Sequence, residues 1–308
     1  MTPTDLLSRA RLGDPVCHGG LTMFPLLLAE WPASPGYTVL DEALQSQRFG
    51  VSEISETGAV PTLKATNQGA DPVFLLDGEE LVGARQNRVL NLSLLVPPGV
   101  SIDIPVSCVE SGRWAWRSRG FTSSRQAQFA KGRASKLRSV SGSLQARKQA
   151  RSDQGEVWRT IADKAARMDA SSPTEAMSAV YDRHAESLEA TVTALRPVAE
   201  GQAGAVFFAG GRVIGLDLFD HPQTYAKLHG KLVRSYALDA MENEPAAAPP
   251  GPDAAAIFLA AMAHGNQSRF EVVGEGETVR LEGAGWVGAA LEARGRCIHV
   301  AAFPAEKA

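Results

Sequence analysis

Short apolar or alternating runs, set apart by Gly, Pro, Asn and Asp, dominate the first third of the chain. Residues 21–28, 49–54, 60–65 and 73–76 read as strands, because brief apolar or period-two runs bounded by turn residues fit a pleated surface. Residues 38–45 have a helical look, with Asp41 and Glu42 near the start. Residues 88–96 and 100–109 flank Pro97-Pro98-Gly99, a turn signal that predicts a hairpin or a tight strand-to-strand corner. In the second of these strands Ile102, Ile104, Val106 and Cys108 share one face, and Pro105 points to an edge or a bulge.

The period changes between residues 123 and 195, a stretch rich in Ala, Arg, Lys, Gln and Glu. Val157, Ile161, Ala165 and Met168 recur at helical spacing, as do Val180, His184, Leu188 and Val192. Ser172-Pro173-Thr174-Glu175 has the residues of a helix start: a cap, an early proline and a first-turn glutamate. Strands return at 205–209 and 213–217 around the turn Gly210-Gly211, and a helix follows His221-Pro222, with Tyr225, Leu228, Leu232 and Tyr236 on one stripe. Residues 244–253 read as a Pro/Ala-rich linker and 254–263 as a short helix. The last strands are predicted at 269–273, 278–282, 286–293 and 297–303.

Strands grouped apart from helices imply an α+β fold rather than a βαβ alternation. The expected architecture has β-rich N- and C-terminal parts forming a mainly antiparallel sheet or sandwich, with a helical middle segment. A terminal strand completing the first sheet makes the chain one domain, 1–308, with a basic helical segment at about 115–200. Its length of 308 residues is ample for a large core.

Three well-separated cysteines, Cys17, Cys108 and Cys297, with no CxxC pair, argue against a zinc ribbon or a disulfide framework and for a reducing compartment. No metal-ligand spacing stands out, and nothing in the sequence names a cofactor. The apolar run 23–29 is too short to span a membrane and lacks signal-peptide flanks, so a cytoplasmic location without a membrane partner is expected. A net charge of -3 hides a local asymmetry: residues 112–151 hold eleven Lys and Arg and no Asp or Glu. Such a run suits phosphates or a nucleic-acid backbone, and equally a solvated helical arm.

The densest chemistry lies at 74–114. A strand runs into Asp77-Gly78; Glu79 and Glu80 follow, and Gly83 precedes Arg85, Gln86, Asn87 and Arg88. If 88–96 pairs with 100–109, Asn87 and Arg88 lie beside Glu110 and Arg113, and two polar clusters meet on one rim. Carboxylates held there suit general acid–base work or a ribose hydroxyl. Gln86 and Asn87 suit amide or base recognition, and Arg88 suits a bidentate grip on phosphate. The plainer readings are a polar hairpin connection and a structural Glu110–Arg113 ion pair. Trp114 is either a stacking wall or a core residue. Cys108 is either a nucleophile lacking a visible partner or a buried hydrophobe. Asp217 and Asp220 end a strand; they add carboxylates to the site or cap the next helix, with Asp220 the better cap.

The strings Asp77-Gly78-Glu79-Glu80-Leu81-Val82-Gly83, Gln86-Asn87-Arg88-Val89-Leu90-Asn91, Ile104-Pro105-Val106-Ser107-Cys108-Val109-Glu110 and Gly112-Arg113-Trp114 resemble the ARPP domain family, named for its association with ADP-ribosylglycohydrolases and rhodanese-phosphatases. The resemblance extends more weakly to 215–239. It implies one such domain over most of the chain, NAD-derived or ADP-ribose metabolism, and an ADP-ribosylglycohydrolase-type or phosphatase partner. It carries no established reaction. The leading expectation is therefore a site for an ADP-ribose-like or other phosphorylated nucleotide, a small-molecule partner. Glu79, Glu80 and Glu110 would be its acid–base or ribose-holding groups, Gln86, Asn87, Arg88, Arg113 and Trp114 would bind the ligand, and Asp77, Cys108 and Asp217 stand behind them. If the protein is an enzyme, it is a hydrolase or group transferase. The rival expectations are a non-catalytic binding or scaffold module and nucleic-acid binding through 112–151.

Overall fold

Gly210 and Gly211 both lie at positive φ, 55° and 76°, the backbone that a two-residue hairpin turn demands. They join the antiparallel strands Gln202–Ala209 and Arg212–Phe219 at the centre of the largest sheet. Every residue of Gln202–Ala209 is buried, because both of its faces are covered. Phe207 packs under the helix Pro222–Ala240, and Phe208 packs on the opposite side with Phe24 and Val300. Burying each such ring contributes about 1.5–3 kcal/mol.

The computed structural model describes residues 1–243 and 250–305. Most of the expected linker, 244–249, lies outside the described residues. Among the described residues there are three sheets, antiparallel except for one parallel pairing, Thr38–Val39 with Val73–Leu75. The nine-stranded sheet runs Arg11–Leu12, Leu21–Leu27, Gln202–Ala209, Arg212–Phe219, Arg296–Pro304, Trp286–Ala293, Glu277–Gly283 and Asn266–Glu271, with Val16–His18 also on Leu21–Leu27. It thus joins strands from both ends of the chain. The six-stranded sheet runs Phe121–Ala127, Glu79–Gly83, Arg88–Leu90, Val100–Cys108, Thr62–Asn67 and Phe49–Glu53. Leu94–Val96, Val73–Leu75 and Thr38–Val39 form the third. The protein is α+β, with helices Ala130–Arg147, Gln154–Arg167, Ser178–Arg183 and Ala185–Ala194 in its middle. Among the described residues no helix is long and apolar enough to cross a membrane.

Four local expectations need correction. The run 88–96 is two strands. Asn91 leaves the six-stranded sheet, its amide N–H donating to Pro105 O and its side chain to Ala150 O, and Leu94–Val96 pairs with Val73–Leu75 instead. Pro105 is not at an edge: Val100–Cys108 is interior, and the proline sits where it passes from Thr62–Asn67 to Arg88–Leu90 as partner. Ser172 does not start a helix; its hydroxyl accepts from the N–H groups of Thr174 and Ala176 and closes a turn. Asp220 does not cap the helix Pro222–Ala240. His221 does, its Nδ1 accepting from Gln223 N at 3.1 Å, while Asp220 takes the Tyr37 hydroxyl and an ion pair with Arg296.

Candidate functional site

The short pairing of Glu79–Gly83 with Arg88–Leu90 throws residues 84–87 out as a tight loop. Gly83 is required there: its φ is 137°, and a Cβ would meet Gly120 O at 2.5 Å. Val106–Cys108 pairs back on Arg88–Leu90, with Cys108 opposite Arg88, so Glu110 arrives beside the loop. Asn87 N–H donates to Glu110 Oε2 at 3.1 Å, and Gln86 Nε2 donates to Glu110 O at 3.0 Å. Arg113 Nη2 donates to the same Glu110 Oε2 at 2.6 Å and to Asn87 Oδ1 at 3.1 Å. The same Nη2 also reaches Gly83 O, and Nη1 donates to the carbonyls of Ala84 and Ala115. Arg113 therefore fastens the loop.

The second oxygen of Glu110 accepts from Thr174 Oγ1 at 2.8 Å. The turn carrying Thr174 is held by an isolated bridge between Glu110 and Ala176 and by Gly112 N–H to Thr174 O. Gly112 permits this approach, since a Cβ there would lie 3.0 Å from Thr174 Cα. Burial raises the Glu110 carboxyl, but the hydrogen bonds from Arg113, Thr174 and Asn87 N–H outweigh it and hold the group below its ordinary value. Glu110 is thus a fixed, ionised acceptor.

Glu110 and Asn87 form part of the wall of an open cleft of about 660 Å³, with Thr174, Asp182, Arg117 and Arg183. Arg117 also borders a second cleft of about 550 Å³, with Trp116, Arg119, Glu53 and Glu56. Trp114 and Trp116 are 45% and 48% exposed, and the Arg85 guanidinium lies 5.5 Å and 4.8 Å from their rings. Trp114 is a surface aromatic rather than a core residue.

The other predicted site residues separate from this rim. Neighbouring strand residues project to opposite faces, and Glu79 and Glu80 diverge accordingly. Glu79 pairs with Lys231, which also bonds Asp41 and Ser123, and it accepts Leu76 N–H. Glu80 is fully buried with neither oxygen hydrogen-bonded. Burial pushes it up to about 7; the Ser124 hydroxyl, near but outside hydrogen-bond geometry, offsets this in part, and the Asp182 and Glu110 charges add to the rise. Arg88 is fully buried too, donating to Gln86 Oε1 at 3.0 Å, with Glu53 at 3.9 Å; burial lowers its guanidinium. It lies behind the rim. The Cys108 thiol contacts the Glu110 backbone, and burial raises it, the opposite of an activated thiolate.

Asp77 and Asp217 belong to a separate buried hub. Arg133 grips Asp217 with two bonds, of 2.9 and 2.8 Å, while Tyr236 OH donates to Asp217 at 2.7 Å and His299 Nε2 lies 2.9 Å away. Asp77 takes Lys136 and lies 3.5 Å from Arg133 Nε. Arg133 and Lys136, members of the basic run 112–151, are thus inside the protein, and that run does not form one solvated basic face. Sequence reasoning missed Thr174, Arg117, Asp182 and Arg183 at the cleft. A Ser-Pro-Thr turn signal was present at 172–174, but it also fits a helix cap.

Residues 9–303 match the ARG and Rhodanese-Phosphatase-superfamily-associated Protein domain, ARPP-1. The chain belongs to that family. The ARPP-1 name records an association with those two superfamilies and states no reaction. No curated protein and no solved structure matches the chain. The strings that resembled the family at sequence level supply the loop and rim of this ARPP-1 domain: Gly83, Gln86, Asn87, Glu110, Gly112 and Arg113 all take part in fastening it. Among the described residues no group of three or more His, Cys, Asp or Glu is arranged to hold a metal ion.

Glu80 supplies a pH test. Its folded value, about 7, exceeds the ordinary 4.5, so the folded chain holds a proton that the unfolded chain has released. The resulting stability is complete below about pH 4.5 and is lost as pH rises through about 7, a span of about 3 kcal/mol. Glu80→Gln removes the titration. In urea titrations the variant should match the wild type near pH 4.5 and exceed it by that amount near pH 8; a gap independent of pH contradicts the assignment.

Proposed function

We propose that this protein binds a phosphorylated nucleotide of the ADP-ribose type in the cleft bordered by Glu110 and Thr174. The observation carrying the reading is a fixed, ionised Glu110 on the wall of a cleft that shares Arg117 with the cleft bordered by the exposed Trp116. A cleft of about 660 Å³ lies within the usual range for small-molecule sites. Glu110 suits a ribose hydroxyl, Arg117 and Arg183 suit phosphates, and the Trp116 face suits a base. The association in the ARPP-1 name is loosely in keeping with such a ligand.

Hydrolysis or group transfer on the same ligand is the less supported reading, because Glu80, the carboxyl that burial pushes up to about 7, is fully buried and does not border the Glu110 cleft. Nucleic-acid binding is the weaker reading, because Arg133 and Lys136 are buried and paired.

A thermal-shift panel of ADP-ribose, NAD, ADP and ribose 5-phosphate tests the proposal. Ligand that binds the folded state raises the melting temperature. ADP-ribose should give the largest rise, and Arg117→Ala should weaken its binding about tenfold or more, as expected for one charged hydrogen bond. No rise with any nucleotide would leave only a scaffold role.

A further inference from the structure

The start of the helix Ala130–Arg147, the end of the helix Pro222–Ala240 and the hairpin turned at Gly210-Gly211 border a cleft of about 390 Å³. It shares no wall residue with the Glu110 cleft. Much of its wall is apolar. Ala130 and Ala134 stand one helical turn apart, and Ala209, Ile214 and Phe303 face them. Phe303 is fully buried, with Tyr236 stacked beside it and the Arg133 guanidinium 5.0 Å from its ring, so this surface is fixed in place.

Charge is added by two carboxylates and several cations. Asp239 and Glu242 are already committed. Lys164 bonds both, Lys131 N–H donates to Asp239 at 2.7 Å, and Arg167 lies 2.6 Å from Glu242. Arg212 differs. It is exposed, and its side chain makes no ion pair or hydrogen bond among the described residues. Across the hairpin it pairs with Ala209, whose side chain lies in the core under the helices. Paired residues project to one side of a sheet, so Arg212 stands on the cleft side. Leaving Lys131 out of the count, three cations, Lys164, Arg167 and Arg212, stand against two carboxylates, Asp239 and Glu242.

An occupant complementary to this wall has an apolar body and a single negative charge. A nucleoside diphosphate would bring several charges to one spare cation and lay its sugar on alanine and phenylalanine. The planar guanidinium fork of Arg212 matches the two oxygens of a carboxylate. We propose that this cleft binds a small amphipathic carboxylate, an aryl- or alkyl-substituted acid, with its carboxylate on Arg212 and its apolar body on Ala134, Ile214 and Phe303. The volume lies near the lower end of the range for small-molecule sites, as suits such a ligand. This site does not depend on the nucleotide reading.

Isothermal titration of the full chain with butyrate, octanoate, 4-phenylbutyrate and the uncharged 4-phenylbutyramide provides the test. Affinity should rise from butyrate to octanoate and 4-phenylbutyrate as more apolar surface is buried. The amide should bind about tenfold or more weakly than its acid, the worth of one charge-assisted hydrogen bond. Arg212→Gln, at an exposed position, should keep the fold and weaken 4-phenylbutyrate binding by a similar factor, and saturating ADP-ribose should not displace the acid. Failure of both octanoate and 4-phenylbutyrate to bind, equal binding of acid and amide, unchanged affinity in Arg212→Gln, or displacement by ADP-ribose would each overturn the proposal.

Discussion

Asp217→Ala should cost about 3–5 kcal/mol of stability, the usual consequence of stranding a buried cation. The replacement leaves Arg133 without its bidentate acceptor and removes the partner of the Tyr236 hydroxyl and of His299 Nε2, all in the interior. Equilibrium unfolding in urea measures the loss. Asp217→Leu combined with Arg133→Met should recover much of it, because replacing both members of a buried pair with apolar groups is often close to neutral. The pH dependence has a definite sign. Burial raises the Asp217 carboxyl, but Arg133 and His299 outweigh burial and hold it well below the ordinary 3.8. Its contribution is therefore full above about pH 4 and is lost as pH falls further, so the gap between wild type and variant should narrow in acid. A loss of under about 1 kcal/mol at neutral pH would mean that the hub is not the structural anchor described.

The second large effect concerns the cleft. Glu110→Gln keeps the shape of the side chain and can still accept from Arg113, so the fold should survive with a loss of about 1 kcal/mol. The charge that fixes the Asn87 and Thr174 donors is gone, and so is the ionised acceptor offered to a ribose hydroxyl. ADP-ribose binding by isothermal titration should fall between about tenfold and a hundredfold, the worth of one charge-assisted hydrogen bond. Any turnover should vanish with it. Unchanged affinity in a folded Glu110→Gln protein removes Glu110 from the site.

How much of this was legible in the sequence depends on the distance over which residues had to meet. The helix Pro222–Ala240 followed from the spacing of Tyr225, Leu228, Leu232 and Tyr236, and the hairpin before it from Gly210-Gly211. The meeting of Asn87 with Glu110 and Arg113 also followed, although not through the simple hairpin expected: Arg88–Leu90 pairs with Val106–Cys108 while the chain between them visits another sheet through Leu94–Val96. Grouping Glu79 with Glu80 ignored the alternation of strand side chains; Glu79 instead finds Lys231, from a helix far along the chain. Arg88 carries no mark in sequence of being fully buried. The hub draws Asp77, Arg133, Asp217, Arg280 and His299 from five distant segments, and no local pattern joins them. Arg133 and Lys136 looked like members of a solvated basic run for the same reason: the carboxylates that hold them lie elsewhere in the chain.

Amide hydrogen exchange of the wild-type chain, with and without saturating ADP-ribose, addresses the cleft most directly. Binding as proposed should slow exchange in the loop 84–88, around 110–117 and in the turn 171–179, with little change elsewhere and none in Glu110→Gln. Exchange left unaltered in all three segments, or slowed only around another cleft such as that of Lys131 and Arg212, would contradict the account.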